Sequence, residues 1–351
     1  MPKVSICVPT YNRAHTLRTT LEAILRQTYA DWELIVCDDA STDDTESVVN
    51  EYQDGRIRYY RNQANKGLYA NFNYGISLAR GEYVAIYHDH DIYLPNIIER
   101  SVELLERYPS ASFVHTGLLL IDDGNHPVGV DVRPFPELLA GSDARKLMSD
   151  RWHSPVMAAT AMVRRSAYEC VGPYRFDEFG LGCDLHMWFE LCAIGDIAYV
   201  RDPQALIRVR QKGQATATFR WEQVKKSIRM HRDHLDSQYS TLSVSRLRRQ
   251  LRFVLERDVK LASYGLRAVL LEPEDTVREG QQVLKEEASI GVQLLVELTR
   301  CSKIAQQLLA RVMLQRHYQN VAQDYVSQLR RTADYLRHHP SLAEFVTALA
   351  N

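Results

Sequence analysis

Short apolar runs alternate with longer amphipathic stretches over the first 95 residues. The runs "VSICV" (4–8), "WELIVC" (32–37), "RIRYY" (56–60) and "YVAIY" (83–87) are β-rich and mostly uninterrupted, as in strands buried on both faces. Between them, "AHTLRTTLEAILRQT" and "DDTESVVNEYQ" repeat apolar positions at helical spacing. Strands separated by helix-length segments predict an α/β fold, a mostly parallel sheet flanked by helices. Ligands of such sheets bind beyond the carboxyl ends of the strands, which directs attention to "PTYNR" after the first run, Asp38 and Asp39 after the second, and "HDHD" (88–91) after the fourth. Ser41, Thr42 and Asp43 read as caps of the following helix, and a cap is also the bland alternative for Asp91.

The pattern changes near residue 216. Residues 1–215 carry 22 Lys+Arg against 29 Asp+Glu, a net −7, and hold 13 of the 16 glycines and 10 of the 12 prolines; residues 216–351 carry a net +6. This second region repeats apolar residues at helical spacing with Lys and Arg between them, so the chain divides into an α/β region, 1–215, and a mainly α-helical C-terminal region, 216–351. Arg246, Arg248, Arg249 and Arg252 form its densest basic cluster. Such a cluster is either a solvated face or a contact for anionic headgroups or a lipid-diphosphate acceptor. The helical region also suits acceptor, membrane-surface or homo-oligomer contacts. His231 and His234 are spaced i, i+3, which could bind metal, but read as surface residues.

No apolar run approaches the ~18 residues that span a bilayer, and the N-terminus enters a strand-like run directly. A cytoplasmic location, peripheral at the inner membrane face, follows as the expectation. Six scattered cysteines without a C-x-x-C pair read as reduced thiols. The absence of an aromatic platform argues against nucleic acid as a partner. Neither G-x-G-x-x-G nor G-x-x-x-x-G-K-[ST] occurs, so any phosphate bound at the strand ends needs another source of positive charge.

The blocks "VSICVPTYNRAHTLRTTLEAILRQTYADWELIVCDDASTDDT", "NKGLYANFNYGISLARGEYVAIYHDHDIYLP" and "GLGCDLHMWFEL" resemble the successive motifs of family 2 inverting glycosyltransferases of the GT-A fold. The resemblance covers roughly residues 3 to 212. It implies transfer of a sugar, with inversion, from a nucleotide-diphosphate sugar, a UDP-sugar first, to a glycan or lipid-linked acceptor, as in cell-surface polysaccharide synthesis. It also implies Mn²⁺ or Mg²⁺ held through an Asp-x-Asp motif. Carried over by position, Pro9, Thr10, Tyr11, Arg13, Asp39, Lys66, Asp89 and Arg210 contact the nucleotide sugar.

Three departures matter. In the register set by Pro95 the metal-binding aspartate falls on His90, so either Asp89 and Asp91 act as a displaced pair or His90 itself is a ligand. If the strand continued, 89 and 91 would share one side and 88 and 90 the other. Where the family often has an Arg-x-His, Arg210 stands, a permanent cation able to face phosphate. In "GCDLHMWFEL" the acidic pair before the tryptophan is reduced to Asp184, with Cys183 in the first place. The resemblance makes Asp184 the general base, of ordinary carboxylate pKa; a helix N-cap is the alternative. Cys183 has no evident base and is a poor candidate nucleophile. The substitutions at 90 and 183 leave open a member that binds a nucleotide or glycan without turnover.

Overall fold

The computed structural model describes residues 1–151 and 154–209, the segments 274–289 and 326–350, and scattered helical residues within 222–262 and 292–296. Its first strands follow the apolar runs: β1 (Val4–Thr10), β2 (Trp32–Asp38), β3 (Ile57–Arg61) and β4 (Tyr83–Ile86). They lie in the order β3-β2-β1-β4, all parallel. Parallel strands need crossovers, and three helices supply them: α1 (Ala14–Leu25), α2 (Thr45–Asn50) and α3 (Leu68–Leu78). Leu17, Leu21 and Ile24 lie on one face of α1 at helical spacing and are fully buried, each contributing on the order of 2 kcal/mol.

Beyond β4 the sheet becomes mixed. The chain continues through β5 (Ile92–Tyr93), α4 (Ile97–Arg107), β6 (Ala111–Ile121), β7 (Pro127–Asp131), β8 (Leu138–Leu139), α5 (Gly141–Arg151) and β9 (Met162–Arg164). It then forms α6 (Arg165–Val171), α7 (Phe176–Phe179), α8 (Cys183–Ile194) and β10 (Asp196–Arg208). The sheet order is completed as β4-β9-β6-β10-β5, with β9 antiparallel to both neighbours and β10 parallel to β6. Strand β10 carries three more residues than β6 between Val200 and Ala205. Gly117 of β6 makes room for this bulge, because a Cβ there would lie 2.3 Å from the Arg201 carbonyl oxygen.

Two apolar cores cover the sheet. One joins α1 and α4 to β1, β2 and β6; the other joins α3, α6 and α8 around Trp188, Phe113 and Phe72. The helix Pro340–Ala350 returns to the first core, with Val346 buried in it and Leu342 and Phe345 packed against it. Met230 is wholly buried in the second core. Among the described residues no helix is long and apolar enough to cross a membrane.

Candidate active site

The ends of β1 and β2 are braced to each other. Asn12, with a left-handed φ of 52°, receives the Thr42 N–H on its Oδ1 at 2.7 Å, while its own N–H donates to Ser41 Oγ at 2.9 Å. Asp43 accepts the Ala14 N–H at 3.0 Å, in the first turn of α1, as well as the Thr45 hydroxyl. Ser41 and Thr42 therefore do not cap α2, whose N-cap is Asp44 and lacks a side-chain cap bond. Their polar atoms hold the neighbouring turn, a long-range partner that local sequence does not reveal.

Asp39 is buried and accepts three N–H groups: Asn62 Nδ2, Lys66 N and Gly67 N, each at 2.9 Å. Its carboxylate shapes the loop 62–67. Lys66 contributes its backbone there, and its ammonium stands over the Tyr74 ring at 5.5 Å. Pro9 is buried within β1, Tyr11 is half-exposed, and the buried Thr10 Oγ1 has no hydrogen-bond partner.

The "HDHD" stretch does not continue β4. The strand stops at Ile86, so the strict side-to-side alternation expected of residues 88–91 does not hold. Tyr93 stacks on Tyr87 at 3.8 Å and accepts the His88 N–H on its hydroxyl at 2.7 Å; Thr20 donates to the Asp91 carbonyl at 2.8 Å. The resulting turn brings His88, His90 and Asp91 together, with ligand-capable atoms within 4.8 Å of one another. Asp91 is fully buried and caps no helix: Oδ1 accepts the Arg208 N–H at 2.8 Å, and Oδ2 makes no hydrogen bond. His88 Nδ1 lies 3.4 Å from Oδ2. Burial pushes the His88 pKa down, but Asp91, Asp89 and Asp184 outweigh it and the net shift is upward. Asp89 is turned away from this group. Its Oδ1 is 2.9 Å from His90 Nδ1 and 3.7 Å from Arg13 Nε, so it orients the imidazole and leaves His90 Nε2 free to face Asp91, 3.9 Å away.

Arg208 anchors the same turn. Beyond its amide bond to Asp91, its guanidinium donates to the His90 and Asp122 carbonyl oxygens and to Asn125 Oδ1. Arg210, two residues on, lies outside the described residues, as do His231 and the Arg246–Arg252 cluster.

Asp184 reaches the site from α8. It is the second residue of α8, after Cys183, so it is not the N-cap. Tyr69 donates its hydroxyl to Asp184 Oδ2 at 3.2 Å, whereas Asp184 Oδ1 is buried without a hydrogen-bond partner. Tyr69 is held by stacking on Phe176 at 5.2 Å and by contact with Tyr174 at 5.9 Å. Burial pushes the Asp184 pKa up to about 6, partly opposed by His88 and the Tyr69 hydrogen bond. The ordinary carboxylate pKa expected from sequence is thus replaced by one closer to neutrality. Burial also raises the Cys183 thiol, which is inert in this setting. Asp184 and His88 line one cavity of about 360 Å³ with His115, Asp131, Arg133 and Met230. Of the three polar strand ends, the one after β4 reaches this cavity, through His88.

Residues 5–172 match the family model for glycosyl transferase family 2. The chain is 33% identical over 219 residues to the putative glycosyltransferase EpsE of Bacillus subtilis (strain 168), covering 61% of this chain and 75% of that protein. The chain belongs to glycosyl transferase family 2. It is therefore a glycosyltransferase. Over 131 residues it is 36% identical to the Escherichia coli UDP-Glc:alpha-D-GlcNAc-diphosphoundecaprenol beta-1,3-glucosyltransferase WfgD, covering 37% of this chain and about half, 51%, of that protein. Its fold is similar to that of S. aureus TarS 1–349 in complex with UDP-GlcNAc, with a TM-score of 0.62 at 15% identity over 90% of this chain and 92% of that one. The architecture is thus the GT-A fold of the family.

Tyr69, His115 and Arg208 joined the site only in three dimensions. Arg208 could have been suspected from the "RVR" pattern at 208–210, where attention fell on the second arginine. His115 carries no local signal. It is buried in β6 against Tyr199 at 4.6 Å, and burial with the Arg133 charge lowers its pKa to about 3.

Proposed function

We propose that this glycosyltransferase moves a sugar from a UDP-sugar to a hydroxyl of a glycan or lipid-linked acceptor, with inversion, in cell-surface polysaccharide synthesis at the cytoplasmic face of a membrane. One observation carries the reading: Asp184 lines the cavity with one carboxylate oxygen, Oδ1, buried and unbonded and the other, Oδ2, fixed by Tyr69. A single displacement needs a base opposite the leaving diphosphate, and a carboxylate with a pKa of about 6 is mostly ionised at neutral pH yet a stronger base than an ordinary one. Asp184 then takes the acceptor hydroxyl's proton as that oxygen bonds to the anomeric carbon.

The choice of a UDP-sugar and a lipid-linked acceptor draws on the substrates named for WfgD and on the UDP-GlcNAc bound by TarS. Thr10, Tyr11, Arg13 and Asp39 are assigned to the nucleotide end of the donor, and "HDHD" to its diphosphate. The unbonded Oδ2 of Asp91, with His88 and His90 beside it, fits a divalent cation. Imidazole ligands favour Mn²⁺ over Mg²⁺. Such an ion supplies positive charge opposite the diphosphate. Asp89, expected among the ligands, is assigned instead to orienting His90.

The test is transfer from a panel of UDP-sugars to a diphosphate-linked lipid acceptor with Mn²⁺, with the product's anomeric configuration read by NMR. Inverted product supports the reading. Retention of configuration would sink single displacement, and donor binding without any transfer would indicate a binding protein instead.

A further inference from the structure

A second cluster of metal-ligating side chains lies on α8 and shares no residue with the 88–91 turn. His186 and Glu190 are spaced one helical turn apart, and His234 reaches them from the helical region beyond β10. Their ligand-capable atoms all lie within 4.8 Å of one another, and His234 Nδ1 is 3.8 Å from Glu190 Oε1. His234 is buried at 7% exposure, not on the surface as expected from the sequence. Its acidic companion is Glu190, supplied by another element.

We propose that His186, Glu190 and His234 form a transition-metal site, with Zn²⁺ as its ion, that ties the C-terminal helical region to α8. Two imidazoles and one carboxylate are ligands that suit Zn²⁺ and not Mg²⁺ or Ca²⁺. A tetrahedral Zn²⁺ with bonds of ~2.1 Å separates its ligand atoms by roughly 3.4 Å, so side-chain adjustments of about an ångström close the set. Both rings are pre-oriented: His186 stacks on Phe179 at 4.1 Å and His234 on Phe189 at 4.3 Å. Glu190 is partly exposed, its side chain at 38%, and gives the ion an entrance and a place for a fourth, water ligand. The two imidazoles could otherwise serve as packing groups alone. Glu190 separates these readings, because a packed histidine pair has no use for its charge.

The full chain is stripped with chelator, freed of it, and titrated with Zn²⁺ by calorimetry and by thermal melting. The same is done for Glu190→Gln, for His234→Ala, and for a His90→Ala/Asp91→Asn double variant. The site requires a Zn²⁺-dependent rise in melting temperature in the parent and in the double variant, with binding at least tenfold weaker in Glu190→Gln and His234→Ala. Co²⁺ should give the strong visible absorption of tetrahedral coordination in the parent and lose it in Glu190→Gln. Glu190 is at the surface, so its amide variant folds and keeps the test decisive if His234→Ala does not. Unchanged Zn²⁺ affinity in Glu190→Gln, or loss of all Zn²⁺ binding in the double variant, overturns the proposal.

Discussion

Tyr69 and Asp184, 115 residues apart in the chain, meet through a 3.2 Å hydrogen bond that occupies one carboxylate oxygen and leaves the other unbonded. This division of labour separates orientation from chemistry. Replacing Asp184 with Asn keeps the shape but removes the proton acceptor. Transfer should fall by ~10²-fold or more while donor affinity stays within a few-fold. Tyr69→Phe should cost less, on the order of tenfold in kcat with KM for the donor little changed. Steady-state kinetics and donor titration on the two variants check both; near-parent turnover of Asp184→Asn would falsify the base assignment.

The same carboxyl predicts two pH dependences of opposite sign. Activity requires the ionised base, so transfer should rise with pH through about 6 and then level off. Stability should run the other way. The folded-state pKa is raised above the ordinary value of ~4, so the folded chain binds this proton more tightly than the unfolded one. The contribution is most favourable below about pH 4 and is lost as pH rises through about 6. Asp184→Asn should accordingly be more stable than the parent at pH 7, by about 2 kcal/mol, with the gap closing near pH 4. Denaturant unfolding of the pair at several pH values measures it.

At the 88–91 turn, the positions of Asp89 and Asp91 predict unequal effects. Asp91→Ala should abolish any metal-dependent gain in UDP-sugar affinity and also loosen the Arg208 anchor. His90→Ala should reduce that gain without the structural loss. Asp89→Asn, which still positions His90, should weaken it by no more than about tenfold. Donor titrations with Mn²⁺ and with EDTA separate the three; parent affinity that is the same in EDTA as in Mn²⁺ would remove the metal from the reading.

The return of the helix Pro340–Ala350 to the first core predicts a stability role for a segment distant from the site. Val346→Ala should cost on the order of 1–2 kcal/mol, and deletion of 340–350 should cost more by uncovering apolar surface around β6. The Asn125 side chain also donates to the Leu349 carbonyl at 3.0 Å, a bond the deletion removes. Thermal melting of the two variants tests this; an unshifted transition in the deletion variant would show that the contact contributes nothing.

The parallel half of the sheet was legible because three of its four strands, β1, β2 and β4, are nearly unbroken apolar runs, and each falls within two residues of its run. The mixed half was not. Strands as short as β5, β8 and β9 take their identity from neighbours far away in sequence. The site shows the same division. The polar strand ends and Asp184 announced themselves by position or motif, whereas the roles of Ser41, Asp43, Asp91 and His234 depend on partners 29 to 117 residues away that no local spacing encodes. Burial also changes chemistry: the pKa of Asp184 follows from the walls of a cavity, which composition cannot describe.

The bulge in β10 makes the strand a counting device. Its three additional residues are an odd number, so the side chains after it keep a different parity from those before it. A deletion of one residue among 201–204 that the loop did not absorb would slide Ala205–Arg208 by one place, exchange their two faces, and move the Arg208 amide off Asp91. Length changes near Asp202 thus reach the 88–91 turn by arithmetic, without altering a single residue that touches it.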